Sequence, residues 1–443
     1  MNLISGISSG FHDASISLIN SDGEILYALH SERYSGVKND KNLNNKLMGY
    51  IKGTTVFYEK PFWKNTRRLY AGQKWKKRDT YDHYIWHHWS HAAAAYYTRP
   101  YKEEPVCVVI DAIGEWDTAT IWFKKKKVWS LKYPKSLGLF YSAITYKCGL
   151  KPNEDEYITM GMAAYGKVRY RLDPYEKYHK VNIKKDWQLL KNKYDLAASA
   201  QSVLEHEIEK IMLKAKQYSN YLCYGGGVAL NCVANTKINS IFDKIWILPN
   251  PGDGGSSLGA AAAYLDKPLK WIDPYLGYDI KRKIKVNEVV SHLIDHKLCG
   301  VANGRAEYGP RALGNRSLLA DPRQNIKNMV NTIKRRQKFR PFAPAILEEF
   351  ADEYFEGPMN EYMQFVAKAK HDHKSVTHVD GTARVQIVKK NCKSILRPIL
   401  EEWYEKTKCP MLLNTSLNIK GKPIVNDEKD AKHFEYVYGV KVF

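Results

Sequence analysis

LISGISSGFHDASISLINSDGEILYALH, residues 3–30, is the stretch on which the fold turns. Its apolar and β-branched runs are cut first by a Gly/Ser loop and then by the Asp22-Gly23 dipeptide, a strong hairpin signal. The spacing predicts a three-stranded meander. Residues 106–133, VCVVIDAIGEWDTATIWFKKKKVWSLKY, repeat the layout, with an Asp/Gly turn after the first run and a lysine turn at 124–127 after the second. The two copies form an internal repeat at long interval, each opening on a loop rich in polar residues and glycine.

Duplicated meanders of this kind point to an α/β nucleotide fold of the actin/Hsp70 type. Downstream, YLCYGGGVALNCVANTKI (221–238) and KIWILPNPGDGGSSLGAAAAYL (244–265) each read as strand, Gly-rich turn and helix. Such turns aim backbone N–H groups at an anion, and they equally serve tight packing. At DKPLKWIDPYLGYDIKRKIKV (266–286) the alanine helix gives way to Pro, Gly and charge. A boundary there divides the chain into domains 1–275 and 276–443.

The 443 residues are 44% hydrophobic, enough to bury more than one core, and the length favours two domains. No apolar run approaches the roughly 20 residues of a bilayer span, and the first residues lack the basic start of a signal peptide. A cytoplasmic enzyme without a membrane partner is expected. Cysteines 107, 148, 223, 232, 299, 392 and 409 are odd in number and contain no CxxC pair, so they read as reduced thiols.

The formal net charge of +22 attracts polyanions without naming one, and a solvated lysine-rich surface is the alternative reading. One segment stands apart. WKNTRRLYAGQKWKKR (63–78) interleaves Trp63, Tyr70 and Trp75 with Lys64, Arg67, Arg68, Lys74, Lys76, Lys77 and Arg78, the components of a nucleic-acid surface.

HHWSHAAAAYY (87–97) places His87 and His91 four residues apart on one face of a helix that Pro100 ends, a metal-ligand pair or a decorated helix surface. His88 falls off that face. In the second domain, GRAEYGPRALGNRSLLADPR (304–323) sets Arg305, Arg311, Arg316 and Arg323 among glycines and prolines. KRRQKFRPFAP (334–344) adds Lys334, Arg335, Arg336, Lys338 and Arg340, and Arg384 and the polar group Asn414, Thr415, Ser416 and Asn418 follow. Arginine's planar fork matches phosphate and carboxylate.

GPRALGNRSLLADPR, KFRPFAP, HVDGTARVQ, LLNTSLN with KGKPIV, GGGVALNC and HHWSHAAAAY, in that family's order over nearly the whole chain, resemble the O-carbamoyltransferases of the NodU/CmcH type. The resemblance implies an N-terminal actin-like (ASKHA) domain akin to the tRNA threonylcarbamoyl-transfer enzymes and a C-terminal YrdC-like domain. It further implies that the C-terminal domain makes carbamoyl-adenylate from carbamoyl phosphate and ATP with Mg(II), and that the N-terminal domain passes the carbamoyl group to a hydroxyl acceptor.

On the same resemblance His87, His91, Asp111 and Asp253 hold Fe(II) or another divalent transition metal such as Mn(II) or Zn(II), whose preferences the mixed N and O set suits. His12 assists the attacking hydroxyl. Lys334, Arg340 and Arg384 neutralise phosphates, while Asn414 and Ser416 hold the carbamoyl end. Gly225, Gly226, Gly227, Asn231, Arg311 and Arg316 are the nucleotide-binding candidates. Ala164 stands where the family usually has proline and Ser31 where it often has glutamate, departures that bear on the acceptor. The charge suggests a hydroxymethylated nucleotide or DNA base as that acceptor. The alternatives are a small sugar or antibiotic-like natural product, a tRNA-modifying actin-fold relative, and a nucleic-acid-binding protein on a degenerate enzyme fold.

Overall fold

The computed structural model describes residues 2–77, 79–176 and 192–443. They form two compact units, Met1–Ala28 with Lys41–Trp271, and Leu29–Asp40 with Ile272–Phe443.

The first unit holds β1 (Leu3–Ser8), β2 (Ser15–Asn20), β3 (Ile25–His30), β4 (Thr54–Phe57) and β5 (His83–Tyr84) in one sheet. A second sheet contains β6 (Val106–Ile110), β7 (Asp117–Phe123), β8 (Lys126–Lys132), β9 (Tyr221–Gly225) and β10 (Lys244–Ile247). The orders are β3-β2-β1-β4-β5 and β10-β9-β6-β7-β8. In each sheet the first strand pairs antiparallel with the second and parallel with the fourth, and the fourth pairs parallel with the fifth. The repeat read from residues 3–30 and 106–133 is thus a duplication of the whole mixed sheet. The turn of the second meander is Lys124-Lys125, both left-handed at φ 48° and 63°, a conformation lysine adopts reluctantly.

In each copy a helix follows the fifth strand, His87–Thr98 after β5 and Ser256–Leu265 after β10. These helices cross over. His87–Thr98 packs on β6 and β9 of the other copy, Ser256–Leu265 packs on β1 and β2, and the two lie against each other. Their alanines explain the contact, since Ala92–Ala95 and Ala260–Ala262 are all buried. At the closest point a Cβ on Gly259 would stand 1.8 Å from the carbonyl oxygen of Ser90. Ser257 of the same helix bonds Ser15 and Ser17 of β2 at 2.9 and 2.8 Å.

In the second unit a five-stranded sheet runs Leu298–Ala302, Arg316–Ala320, Met411–Ser416, Ala343–Leu347, Gln386–Val388. Helices Val286–His296 and Leu396–Thr407 pack together, with Trp403 fully buried among Val289, Leu293 and Leu319. The segment Leu29–Asp40 belongs here through Arg33, whose Nη2 donates to the Gly309 carbonyl at 3.2 Å. Among the described residues no helix is long and apolar enough to cross a membrane, and all seven cysteines are free thiols.

Gly259→Ala forces the two helices apart, and the strain of overpacking a close contact is expected to lower unfolding free energy by at least about 2 kcal/mol, measured by denaturant titration.

Candidate functional site

The helix crossing brings the polar mouths of both copies together. His87 and His91 lie in the first turns of one helix, Asp253 immediately before the other, and Asp111 just after β6. One ligand atom from each lies within 4.8 Å of all the others, and all four residues are buried. His87 Nε2 is 3.1 Å from His91 Nε2, 3.0 Å from Asp111 Oδ2 and 3.5 Å from Asp253 Oδ1. His91 Nε2 is 3.6 Å from Asp111 Oδ2 and 3.2 Å from Asp253 Oδ1. Bonds of about 2.1 Å to a common ion put neighbouring ligands about 3.0 Å apart in an octahedron and about 3.4 Å apart in a tetrahedron. The four atoms therefore have the spacing of a divalent-metal site.

Their surroundings support that use. Pro251 O lies 3.0 Å from His91 Nδ1, which fixes the proton there and leaves Nε2 as a lone-pair donor. Gly227 N–H donates to Asp111 Oδ1 at 3.0 Å, leaving Oδ2 to the histidines. Asp253 Oδ1, although close to His91, is buried without an aligned hydrogen bond among the described residues. Burial opposes ionisation of Asp111, but His87 and His91 outweigh it and hold the carboxyl well below the usual range. For His91 burial works against the charged ring, and Asp111 and Asp253 overcome it, pushing the pKa up to about 10. Two carboxylates stabilising a buried cation is the role an ion would take over. His88 points elsewhere, its Nδ1 3.0 Å from Thr120 Oγ1, in keeping with its position off the ligand face.

The Gly-rich turn resolves to packing. Gly226 has φ +89° and a Cβ there would meet the Ile110 carbonyl at 2.2 Å, while a Cβ on Gly225 would stand 3.0 Å from His91 O. Asn231 caps the helix Cys232–Ile238 through Ala234 N at 3.1 Å and exchanges hydrogen bonds with Gln201. Gly227 thus aims Asp111, Gly225 and Gly226 give room for the close approach of His91 and Ile110, and Asn231 caps the helix that follows.

His12, in the β1–β2 loop, faces the same cluster. Its Nδ1 is 2.9 Å from Asp13 Oδ2 and its Nε2 3.9 Å from Asp253 Oδ2. Burial disfavours its charged form, yet Asp253, Asp13 and Asp111 together raise the pKa to about 9. Glu115, which the sequence reading passed over, accepts from the backbone N–H of His87 at 3.0 Å and of Lys60 at 2.8 Å. It caps the histidine helix, a role only the fold discloses because the β6–β7 loop supplies it across sequence.

Segment 63–78 is not one basic face. Lys64 and Arg67 are buried, Lys64 paired with Glu59 and Arg67 Nε donating to Glu115 O at 3.2 Å, so neither meets a surface ligand. Arg78 lies outside the described residues.

In the second unit, Lys334 and Ser416 come together and Asn418 joins them. The buried Lys334 ammonium donates to Ser416 O, to Ser416 Oγ at 3.4 Å, and to Asn418 O and Oδ1 at 2.9 and 3.0 Å. Among the described residues it meets only neutral oxygens. Burial, then Arg336 and Arg340, hold its pKa well below the ordinary value. A buried cation with no counter-carboxylate is a natural anion site.

Asn414 Nδ2 donates to Ala312 O at 3.1 Å and to Gln386 Oε1 at 2.6 Å, and Gln386 Nε2 donates to Leu313 O at 3.1 Å. Two backbone carbonyls thereby set both amides. Asn414 Oδ1 is left as a buried acceptor with no partner among the described residues, and Arg384 Nε as a buried donor in the same state. Arg311 and Arg340 are half-buried. Arg316 is a correction. Its donors go to the carbonyls of Asn303, Gly304, Asn315, Tyr278 and Asn426 at 2.8–3.2 Å, so it is a backbone clamp with nothing left for a nucleotide.

Residues 45–179 and 175–262 match the carbamoyltransferase N-terminus family and residues 290–442 the carbamoyltransferase C-terminus family. The chain belongs to the carbamoyltransferase family. An uncharacterized protein of Synechocystis sp. is 30% identical over 97% of this chain and 94% of its own length. Nodulation protein NolO of Bradyrhizobium diazoefficiens is 32% identical over 78% of this chain and 75% of its own. Nodulation protein U of Sinorhizobium fredii is 33% identical over 52% and 46%. Among solved structures, component A of (R)-2-hydroxyglutaryl-CoA dehydratase from Acidaminococcus fermentans aligns over 60% of this chain and 98% of its own, at 13% identity and a TM-score of 0.39, too distant to bear on function.

For this carbamoyltransferase, a titration of the metal-free enzyme with Mn(II), Fe(II) or Zn(II) is expected to give one tight site, weakened more than about 100-fold by His91→Ala or Asp253→Asn. The ion takes the neutral imidazole, whereas His91 keeps its proton up to about pH 10 in the ion-free site. Uptake therefore expels a proton, and apparent affinity should rise about tenfold per unit as pH increases from about 6.5 to 9. Calorimetry in buffers of different ionisation enthalpy counts that proton.

Proposed function

We propose that this carbamoyltransferase divides one reaction between its units. The observation that carries the reading is the contrast between their polar sites: a buried Lys334 ammonium that meets only neutral oxygens among the described residues of the second unit, and a His2Asp2 cluster in the first. The second unit, taken as the YrdC-like domain of residues 276–443, makes carbamoyl-adenylate. Carbamoyl phosphate gives up its phosphate to water, the resulting carbamate oxygen attacks the α-phosphorus of ATP carried with Mg(II), and pyrophosphate leaves. The first unit, taken as the actin-like domain of residues 1–275, is the transfer site. There the acceptor oxygen attacks the carbamoyl carbon and AMP departs. The reaction belongs in the cytoplasm, where both co-substrates are made.

Lys334, Arg340 and Arg384 neutralise the phosphates, and Ser416 holds Lys334 in place. The carbamoyl group ends in an NH2, a donor that needs an acceptor, and Asn414 Oδ1 is the acceptor whose orientation Gln386 enforces. In the transfer site His12 donates through Nδ1–H to Asp13, and a cation that neutralises Asp253 and Asp111, the carboxylates that help raise its pKa, would free its Nε2 to take the proton of the acceptor hydroxyl. A divalent ion held by His87, His91, Asp111 and Asp253 would supply Lewis acidity toward the carbamoyl carbonyl or the AMP phosphate. The basic charge favours a hydroxymethylated nucleotide or DNA base as acceptor over a neutral sugar or natural product.

Incubation with carbamoyl phosphate, ATP and Mg(II) is expected to yield AMP and pyrophosphate. Lys334→Ala or Arg384→Ala should abolish that conversion with metal content intact, while His87→Ala should spare it and block transfer. An enzyme that makes no AMP in response to carbamoyl phosphate overturns the reading.

Gln386→Leu frees the Asn414 amide to rotate, and losing one oriented hydrogen bond of about 1.4 kcal/mol should raise the KM for carbamoyl phosphate about tenfold with that for ATP unchanged. Equal changes in both KM values would show a general disturbance of the sheet instead.

A further inference from the structure

The helix Pro61–Tyr70 is inside out. An ordinary surface helix buries its apolar stripe and exposes its charges. Here the buried face is Lys64, Asn65 and Arg67, held by Glu59, by the backbone of Lys76 at 2.9 and 3.0 Å, and by Glu115 O. The solvent side carries Phe62 and Trp63, exposed by 60% and 46%. Their rings continue into Trp75 and Trp86, exposed by 51% and 41%. Centroids run Trp75 to Phe62 at 6.1 Å, Phe62 to Trp63 at 5.5 Å, and Trp63 to Trp86 at 6.3 Å. A continuous aromatic ribbon left in water, on a helix that buries Lys64 and Arg67 underneath, is a contact surface.

Charge identifies the partner. Residues 60–77 contain seven lysines and arginines and no acid. With Lys64 and Arg67 buried, Lys74 and Lys77 remain exposed, and Lys60 Nζ lies 4.6 Å over the Trp86 ring. Rings that stack on bases beside cations that meet phosphates are the two components of sequence-tolerant binding to unpaired polynucleotide. A neutral saccharide would use the rings and leave the cations idle. The ribbon is also tied to the transfer site. Trp86 precedes His87, and one carboxylate, Glu115, holds the backbone N–H of both Lys60 and His87.

We propose that the Trp75–Phe62–Trp63–Trp86 ribbon docks a polynucleotide with unpaired bases and delivers a hydroxyl on it to the His12 side of the metal cluster. This rests on the assignment of carbamoyl transfer to the first unit.

The test uses the full-length enzyme and a labelled single-stranded oligodeoxynucleotide longer than the roughly 16 nucleotides such surfaces engage, followed by anisotropy between about 50 and 200 mM salt. Wild type should bind and weaken with salt. Trp63→Ala/Trp75→Ala should bind at least tenfold more weakly at every salt concentration, and Lys74→Gln/Lys77→Gln should flatten the salt slope. Both variants should keep wild-type melting temperature and carbamoyl-phosphate-dependent AMP formation. Undiminished binding by the aromatic variant overturns the proposal, as does preference for a neutral oligosaccharide or for anionic phospholipid vesicles. Absence of oligonucleotide binding in an enzyme that makes AMP removes the docking surface alone. Failure of AMP formation in wild type removes the functional reading, while ribbon-dependent oligonucleotide binding would still stand.

Discussion

The site in the first unit depends on how closely two helices can approach. With only hydrogen at Gly259 against the carbonyl of Ser90, and alanines on either side, the helices His87–Thr98 and Ser256–Leu265 meet nearly backbone to backbone. That approach sets His91 Nε2 3.2 Å from Asp253 Oδ1. A Cβ at Gly259 would clash with the Ser90 carbonyl and push apart the helices on which the ligands are mounted. The alanine runs are therefore part of the functional site, although none of their side chains reaches it.

Much of this was legible in the sequence because it was written locally. Turn dipeptides and alternating apolar runs announced both meanders, and the i, i+4 histidine pair before an alanine run marked one side of the metal cluster. What pairs with those histidines was recoverable only through family resemblance, since Asp111 and Asp253 are far away in sequence and look like ordinary loop acids. Glu115 and Gln386 carried no signal at all. Each acts by orienting another residue across a fold contact, and a one-dimensional pattern does not encode such contacts.

The errors have a common physical cause. The sequence suggests that Arg316, Lys64 and Arg67 face ligands, since arginine and lysine are usually outside. In each case the protein's own carbonyls or carboxylates satisfy the cation in the interior. At the triple glycine, too, the Gly227 N–H already meets a carboxylate of the protein itself, Asp111. Composition states which charges exist. Burial decides which of them are available.

The ligand set is divided unevenly between the two copies of the sheet. Both histidines come from the helix that follows the first copy, and both carboxylates from the loops of the second. Neither half alone supplies all four ligands. An ion held by all four is a crosslink between the duplicated halves, with the thermodynamic consequence that whatever binding free energy it has is also free energy opposing their separation. Because the histidine helix lies on β6 and β9 while the helix that Asp253 precedes lies on β1 and β2, the bond to Asp253 is the one that parting the sheets would strain.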